Sequence, residues 1–171
     1  MKRRLSRCFR LAVLSVAMVL AGCTVSAPIY GLRPEYPKAR FDAHRPGVVF
    51  AEVNSRQPTL RWEGFPTQGD READTQGLLG RIRNVTYDLR VFRAERGFPT
   101  GPIYTRRGLP APSHTLETPL EPSTEYFWTV RARFALDGRT RLTPWGRIAL
   151  YGSSDLLVPS RFYYGLRTPS K

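Results

Sequence analysis

The chain has 171 residues, with 27 lysines and arginines against 14 aspartates and glutamates, a formal net charge of +13 at pH 7. That length suits one domain able to build an apolar core, and no stretch is repeated, so one domain is the economical reading. Two cysteines, Cys8 and Cys23, exclude a scaffold held together by several disulfides, so the fold must rest on its core.

Residues 1–22 have the layout of a secretory signal: Lys2, Arg3, Arg4, Arg7 and Arg10, then the apolar run Leu11 to Leu20, then small residues. The run falls short of the roughly 20 apolar residues of a membrane-spanning helix. It ends in Leu20-Ala21-Gly22-Cys23, which resembles the lipobox of bacterial lipoproteins. The resemblance implies diacylglyceryl transfer to the Cys23 sulfur, cleavage between Gly22 and Cys23, and acylation of the new amino terminus. That covalent lipid is the only added group expected, and no cofactor is. Several acyl chains, each buried methylene contributing roughly 0.8 kcal/mol, hold a protein on a bilayer effectively permanently. In the didermal lipoproteins this resembles, an aspartate after the cysteine favours inner-membrane retention, so Thr24 at that place implies, through the resemblance, the outer membrane of the cell envelope. Cleavage also removes Cys8, leaving no internal disulfide, and takes the formal charge from +13 to +8.

Residues 23–46 read as the acylated terminus and a tether, because Pro28, Gly31, Pro34, Pro37 and Pro46 interrupt every apolar cluster. Ile29, Tyr30, Tyr36 and Phe41 suit a solvated spacer poorly, and are expected to pack on the domain or on a partner.

From residue 47 to 171 the pattern is β. Strands are expected over Val48 to Val53, Pro58 to Glu63, Val85 to Arg93 and a short Ile103 to Arg106, with His114 to Glu117 following. Gly64 to Arg83 is a long polar connection, and a turn is expected over Gly97 to Gly101. The strongest alternation lies in Tyr126 to Phe134, where Tyr126, Trp128, Val130, Ala132 and Phe134 share one face, opposite Thr129, Arg131 and Arg133. Asp137-Gly138 is a hairpin turn leading to a strand over Arg139 to Leu142. Two stretches compete for the last strand: one beginning near Thr143-Pro-Trp-Gly146, and Arg161 to Thr168. The second is favoured, with an inserted hairpin between.

Leu120, Pro122, Tyr126 and Trp128, with Trp62 and Tyr87 upstream, resemble the landmarks of fibronectin type III domains, a branch of the immunoglobulin-like β-sandwiches. The resemblance covers roughly residues 48–168. It implies an all-β sandwich in which the Tyr126 hydroxyl turns back to the backbone a few residues upstream and pins the crossing between sheets.

Catalytic signals are weak. His44 and His114 have no metal-type spacing to a second ligand, and no Gly-x-Ser-x-Gly elbow occurs. Asp70, Glu72 and Asp74 alternate in the long connection but lack the glycine and distal glutamate of a calcium loop, so they read as solvated loop charges. Neither catalytic residues nor a metal site are expected, and a carboxylate enzyme of envelope polymers is the weakest rival, since this loop holds no pair at a defined separation. The informative polar feature is a face of Arg90, Phe92, Phe127, Arg131 and Arg133, with Asp88 and Thr129, created if the strands around residues 85–93 and 126–134 are neighbours. Arg93, Arg139 and Arg141 are expected to cluster near one end. Guanidinium forks suit phosphate, carboxylate and aromatic partners, so an anionic polymer or an acidic envelope protein is the expected partner of this face. Nucleic acid is not expected behind a secretory signal. The expected function is a membrane-anchored, non-catalytic binding or scaffolding module, with an accessory subunit of a secretion, pilus or transport assembly as the alternative.

Overall fold

The computed structural model describes residues 29–37, 50–148 and 164–171. Residues 1–22, Cys23 and His44 lie outside them. In chain order the strands are β1 (Ile29–Tyr30), β2 (Pro34–Tyr36), β3 (Ala51–Glu52), β4 (Thr59–Trp62), β5 (Ile82–Glu95), β6 (Phe98–Leu109), β7 (Ser113–Thr115), β8 (Glu125–Leu136), β9 (Arg139–Leu142), β10 (Arg147–Ile148) and β11 (Tyr164–Arg167). The helical content among the described residues is slight: α1 (Gln68–Ala73) and a 3-10 turn at Leu78–Arg81. The protein is all-β and sandwich-like.

A six-stranded sheet has the order β3-β11-β8-β5-β6, with β9 also paired to β8; a three-stranded sheet has the order β2-β4-β7; and β1 pairs with β10. Alternation decides how the sheets meet. Leu60 and Trp62 of the small sheet share a fully buried cluster with Leu89, Val91, Trp128, Val130 and Leu166 of the large one. Trp62 packs on Trp128 with ring centroids 6.4 Å apart, and Trp128 meets Tyr164 edge-on at 5.0 Å.

Several strands are longer or shorter than expected. β5 continues to Glu95 and β6 begins at Phe98, so the turn falls at Arg96 and Gly97, both with positive φ, rather than over Gly97 to Gly101. An exposed arginine in the left-handed region is uncommon and gives no sequence signal. β6 runs twelve residues rather than four, with register shifts beside Pro99 and Pro102. Proline and bulges suit this strand, since among the described residues β5 is its one neighbour in the large sheet. The Asp137-Gly138 turn joins β8 to β9 with positive φ at both residues, as a two-residue hairpin requires.

Both candidates for the last strand lie along β8. Thr143 and Gly146 donate backbone hydrogen bonds to Ala132 and Val130, each at 2.9 Å, and β11 continues the edge with Tyr164 opposite Trp128. Among the described residues, one neighbour of β8 thus consists of two pieces, residues 143–146 and β11.

The described part of the expected tether is folded into the domain. β1 and β2 pair with β10 and β4, and Leu32 between them is buried in the core. Glu63 fixes this crossing: its side chain accepts from the Arg33 N–H at 2.7 Å, and its own N–H donates to the Arg33 carbonyl at 2.9 Å. Of the prolines that read as spacer punctuation, Pro34 opens the short strand β2 and Pro37 follows it, positions where proline is tolerated. Gly31 and Gly146 touch backbone to backbone. A Cβ on Gly31 would come within 2.9 Å of Gly146 Cα, and one on Gly146 within 2.7 Å of the Leu32 carbonyl oxygen. The Tyr164 hydroxyl donates to that same carbonyl at 2.6 Å. Burial, with Glu63 nearby, pushes the Tyr164 phenol well above its ordinary pKa, so it remains a donor.

Candidate functional site

β5 and β8 run antiparallel with Thr86 opposite Arg133, Asp88 opposite Arg131, Arg90 opposite Thr129, and Phe92 opposite Phe127. The register brings the expected residues Arg90, Phe92, Phe127, Arg131 and Arg133 onto one outer face. Much of that face is covered.

Asp88 is its centre, with 1 % of its surface exposed. Arg131 donates to Asp88 Oδ2 from Nε at 3.0 Å and from a terminal nitrogen at 2.9 Å; Arg133 donates to the same oxygen at 3.0 Å. Burial alone raises a carboxyl pKa, but here the hydrogen bonds and charges of Arg133 and Arg131 outweigh it, and Asp88 titrates below its ordinary value.

Trp145 is the second cover. Thr143 Oγ1 accepts from the Ala132 N–H at 2.9 Å, and Thr129 Oγ1 donates to the Gly146 carbonyl at 2.7 Å, clamping the residues between against β8. The Trp145 ring then lies with its centroid 4.5 Å from the Arg90 guanidinium carbon and 4.4 Å from that of Arg131. Two cations against one indole are held by the ring quadrupole, about 0.5–1 kcal/mol each where partly exposed.

The aromatic part of the expectation needs correcting. Phe127 is fully buried and Phe92 nearly so, and Phe50 packs against Phe127 at 5.1 Å between centroids, making a small apolar cluster on the outer side. What stays accessible is Trp145, Arg90 and Arg133, all partly exposed, and less of Arg131, 19 % of whose side chain is exposed, together with Leu142, which lies opposite Arg133 and is 44 % exposed. The expected cluster of Arg93 with Arg139 and Arg141 does not form. Arg93 lies opposite Tyr126, whereas Arg141 lies opposite Phe134 and Arg139 opposite Leu136, toward the other end of β8. Antiparallel pairing sends the end of β5 to the start of β8, a relation that sequence proximity conceals.

At that start lies the corner. The Tyr126 hydroxyl accepts from the Glu121 N–H at 3.0 Å, and Leu120 is buried, while Pro122 is exposed in the turn with Ser123 at φ 48°. Thr168 completes the corner: its hydroxyl donates to the Glu121 carbonyl at 2.6 Å and accepts from the Thr124 N–H at 3.0 Å. Among the other landmarks, Trp62 and Trp128 are fully buried, and the Tyr87 hydroxyl accepts from the Phe65 N–H at 3.1 Å. An open groove of about 670 Å³ beside the corner is lined by Arg93, Glu95, Ser123, Glu125 and Arg167. Arg93 pairs with Glu121 at 2.8 Å and Arg167 with Glu125, and with Glu95 also on its wall the groove carries no concentrated field of one sign.

Two of the three loop carboxylates act on the backbone. Asp70 accepts from the N–H and hydroxyl of Thr67 and closes a capping box on α1, and Asp74 accepts from the N–H groups of Leu78 and Leu79. Glu72 accepts from Gln68. These partners direct the carboxylates apart, and among the described residues no three His, Cys, Asp or Glu side chains gather as a metal would need. His114 meets the Tyr104 hydroxyl at 2.6 Å, joining β7 of the small sheet to β6 of the large one.

Sequence reasoning missed Trp145, Thr168 and the burial of Asp88. An aspartate on the same alternating row as two arginines was a usable signal for the ion pairs; the position of Trp145 depends on a split strand and left none.

The fold and face together define an all-β, sandwich-like domain with an arginine-rich outer face organised by one buried carboxylate and one covering indole. No family model, no curated protein and no solved structure matches the chain.

Proposed function

We propose that the chain is a cell-envelope lipoprotein, acylated on Cys23 and held on the outer membrane. Its domain, an immunoglobulin-like sandwich of the fibronectin type III kind, acts as a non-catalytic binding or scaffolding module. The observation that carries the anchor is Leu20-Ala21-Gly22-Cys23 standing directly behind a basic and then apolar leader. The sandwich type is supported by the Tyr126 hydroxyl accepting from Glu121 N–H where the chain passes toward β8. In that family's terms β4 and β7 take the places of strands B and E, and β5, β6, β8 and β11 those of C, C′, F and G. The arginine face of Arg90, Arg131 and Arg133 is the binding surface, suited to an anionic partner.

Substituting Cys23→Ser is expected to move the protein from the membrane pellet to the soluble envelope fraction. Retention of the variant in the pellet overturns acyl anchoring.

A second reading, an accessory subunit of an envelope assembly, is favoured by the β6 edge, where Phe98 and Ile103 are 57 % and 52 % exposed. An edge strand with exposed apolar side chains can receive an extended segment of a partner. Photocrosslinkers at positions 98 and 103 in intact cells are expected to trap one defined protein under this reading, and a ladder of unrelated products counts against it.

A further inference from the structure

We propose that the accessible part of the arginine face, Trp145 with Arg90, Arg133 and Leu142, rests on the anionic phospholipid headgroups of the bilayer that holds the anchor; this rests on the acylation of Cys23 proposed above.

The argument begins with chain length. β1 starts at Ile29, six residue steps after Cys23, and is paired to β10. Whatever conformation those steps take, they reach at most about 20 Å. Gly31, two residues on, lies against Gly146, the residue after Trp145. The whole path from the acylated cysteine to the indole is therefore no more than about 40 Å, of which the leash before β1 is about half. β8 alone, twelve residues long, extends about 40 Å. A domain tied by a leash shorter than its own strands does not stand clear of the surface. The pairing of β1 and β2 into the sheets, where a tether was expected over residues 23–46, is what shortens the leash.

Chemistry then selects what touches the lipid. Around the root of the leash the outer face presents an indole, an exposed leucine and guanidinium groups. Arg131 and Arg133 share the single buried carboxylate of Asp88 while Arg90 lies against the Trp145 ring, so three guanidinium charges face one carboxylate and positive charge is in excess. Indole side chains favour the headgroup level of a bilayer, and arginines favour its phosphates. Trp145 is already held in place by its two guanidinium contacts, so little ordering is required on contact.

Intrinsic fluorescence provides the test, because Trp62 and Trp128 are fully buried and Trp145 is the one remaining tryptophan. The acylated protein is placed in vesicles of phosphatidylethanolamine and phosphatidylglycerol, with and without nitroxide-headgroup lipid. The nitroxide lipid is expected to quench the emission component that Trp145→Phe lacks. Replacing phosphatidylglycerol by phosphatidylcholine, or introducing Arg133→Gln, is expected to reduce that quenching by about two-fold. Should Trp145→Phe fold poorly, a blue shift of the wild-type emission on transfer from detergent to anionic vesicles reports the same contact. The proposal is overturned if Cys23 carries its acyl groups by mass spectrometry yet headgroup nitroxide leaves the emission unchanged while aqueous acrylamide quenches it fully. That face then looks away from the lipid, toward a soluble acidic partner. A bare Cys23 in the same sample removes the anchor itself, and this proposal with it.

Discussion

The two faces of the β5–β8 ribbon share one backbone and one register, yet they are built by different physics. The inner face, with Leu89, Val91, Trp128 and Val130 all at zero exposure, is held by the removal of apolar surface from water and by close packing. The outer face is held by groups that attract water: Asp88 between Arg131 and Arg133, and Trp145 between Arg90 and Arg131. Alternation separates the rows on both faces alike. It does not say whether the polar row meets solvent, which depends on what the chain lays over it.

Truncating the inner face is expected to have the largest effect. Trp128→Ala, at a fully buried position touching Trp62 and Tyr164, is expected to destabilise the domain by about 3–5 kcal/mol in urea or thermal unfolding. A loss below about 1 kcal/mol would break the comparison at its stronger side.

On the outer face Asp88→Asn is expected to cost about 2 kcal/mol. Removing one partner of a buried pair costs about 3–5 kcal/mol, and the two arginines left behind, with 19 % and 37 % of their side chains exposed, recover part of their hydration. The pH dependence follows from the lowered Asp88 pKa. The stabilisation is fully present above the unfolded value of 3.8 and is lost as pH falls through the lower folded value. Wild type and Asp88→Asn are therefore expected to converge in stability as pH falls below about 4 and to differ by a constant, full amount above it. Parallel curves between pH 2 and 6 would show that Asp88 is not the electrostatic centre of this face.

The smallest effect belongs to the seam between the sheets at His114. Burial first and the Arg106 charge second lower its pKa, so the folded protein favours the neutral ring. Stability is then flat above the unfolded value of 6.5 and declines as pH falls below it. His114→Gln is expected to abolish a loss of under about 1 kcal/mol between pH 7 and pH 5.5, read as the difference in Tm. A wild-type melt independent of pH over that interval would remove the seam as a titrating contact.

Legibility in the sequence followed the range of the interactions. The Asp137-Gly138 turn and the alternation of β8 depend on neighbouring residues, and both were readable. The length of β6, the division of the strand beside β8, and the pairing of residues 29–37 depend on partners distant in sequence. Prolines at 34 and 37 mean spacer in one context and edge strand in another. For the candidate site, the residues of the outer row could be named in advance, but the burial of Phe127 and the placement of Trp145 could not.

By itself the sequence determined the β character of the domain and which side chains of β5 and β8 share a face, because a pleated chain sends alternate residues to opposite sides whatever surrounds it. Only the tertiary structure decided which parts of that outer row stay exposed. Burial is a property of what packs above a residue, and here the covering Trp145 lies between twelve and eighteen residues along the chain from the β8 residues of the row, Arg133 to Phe127.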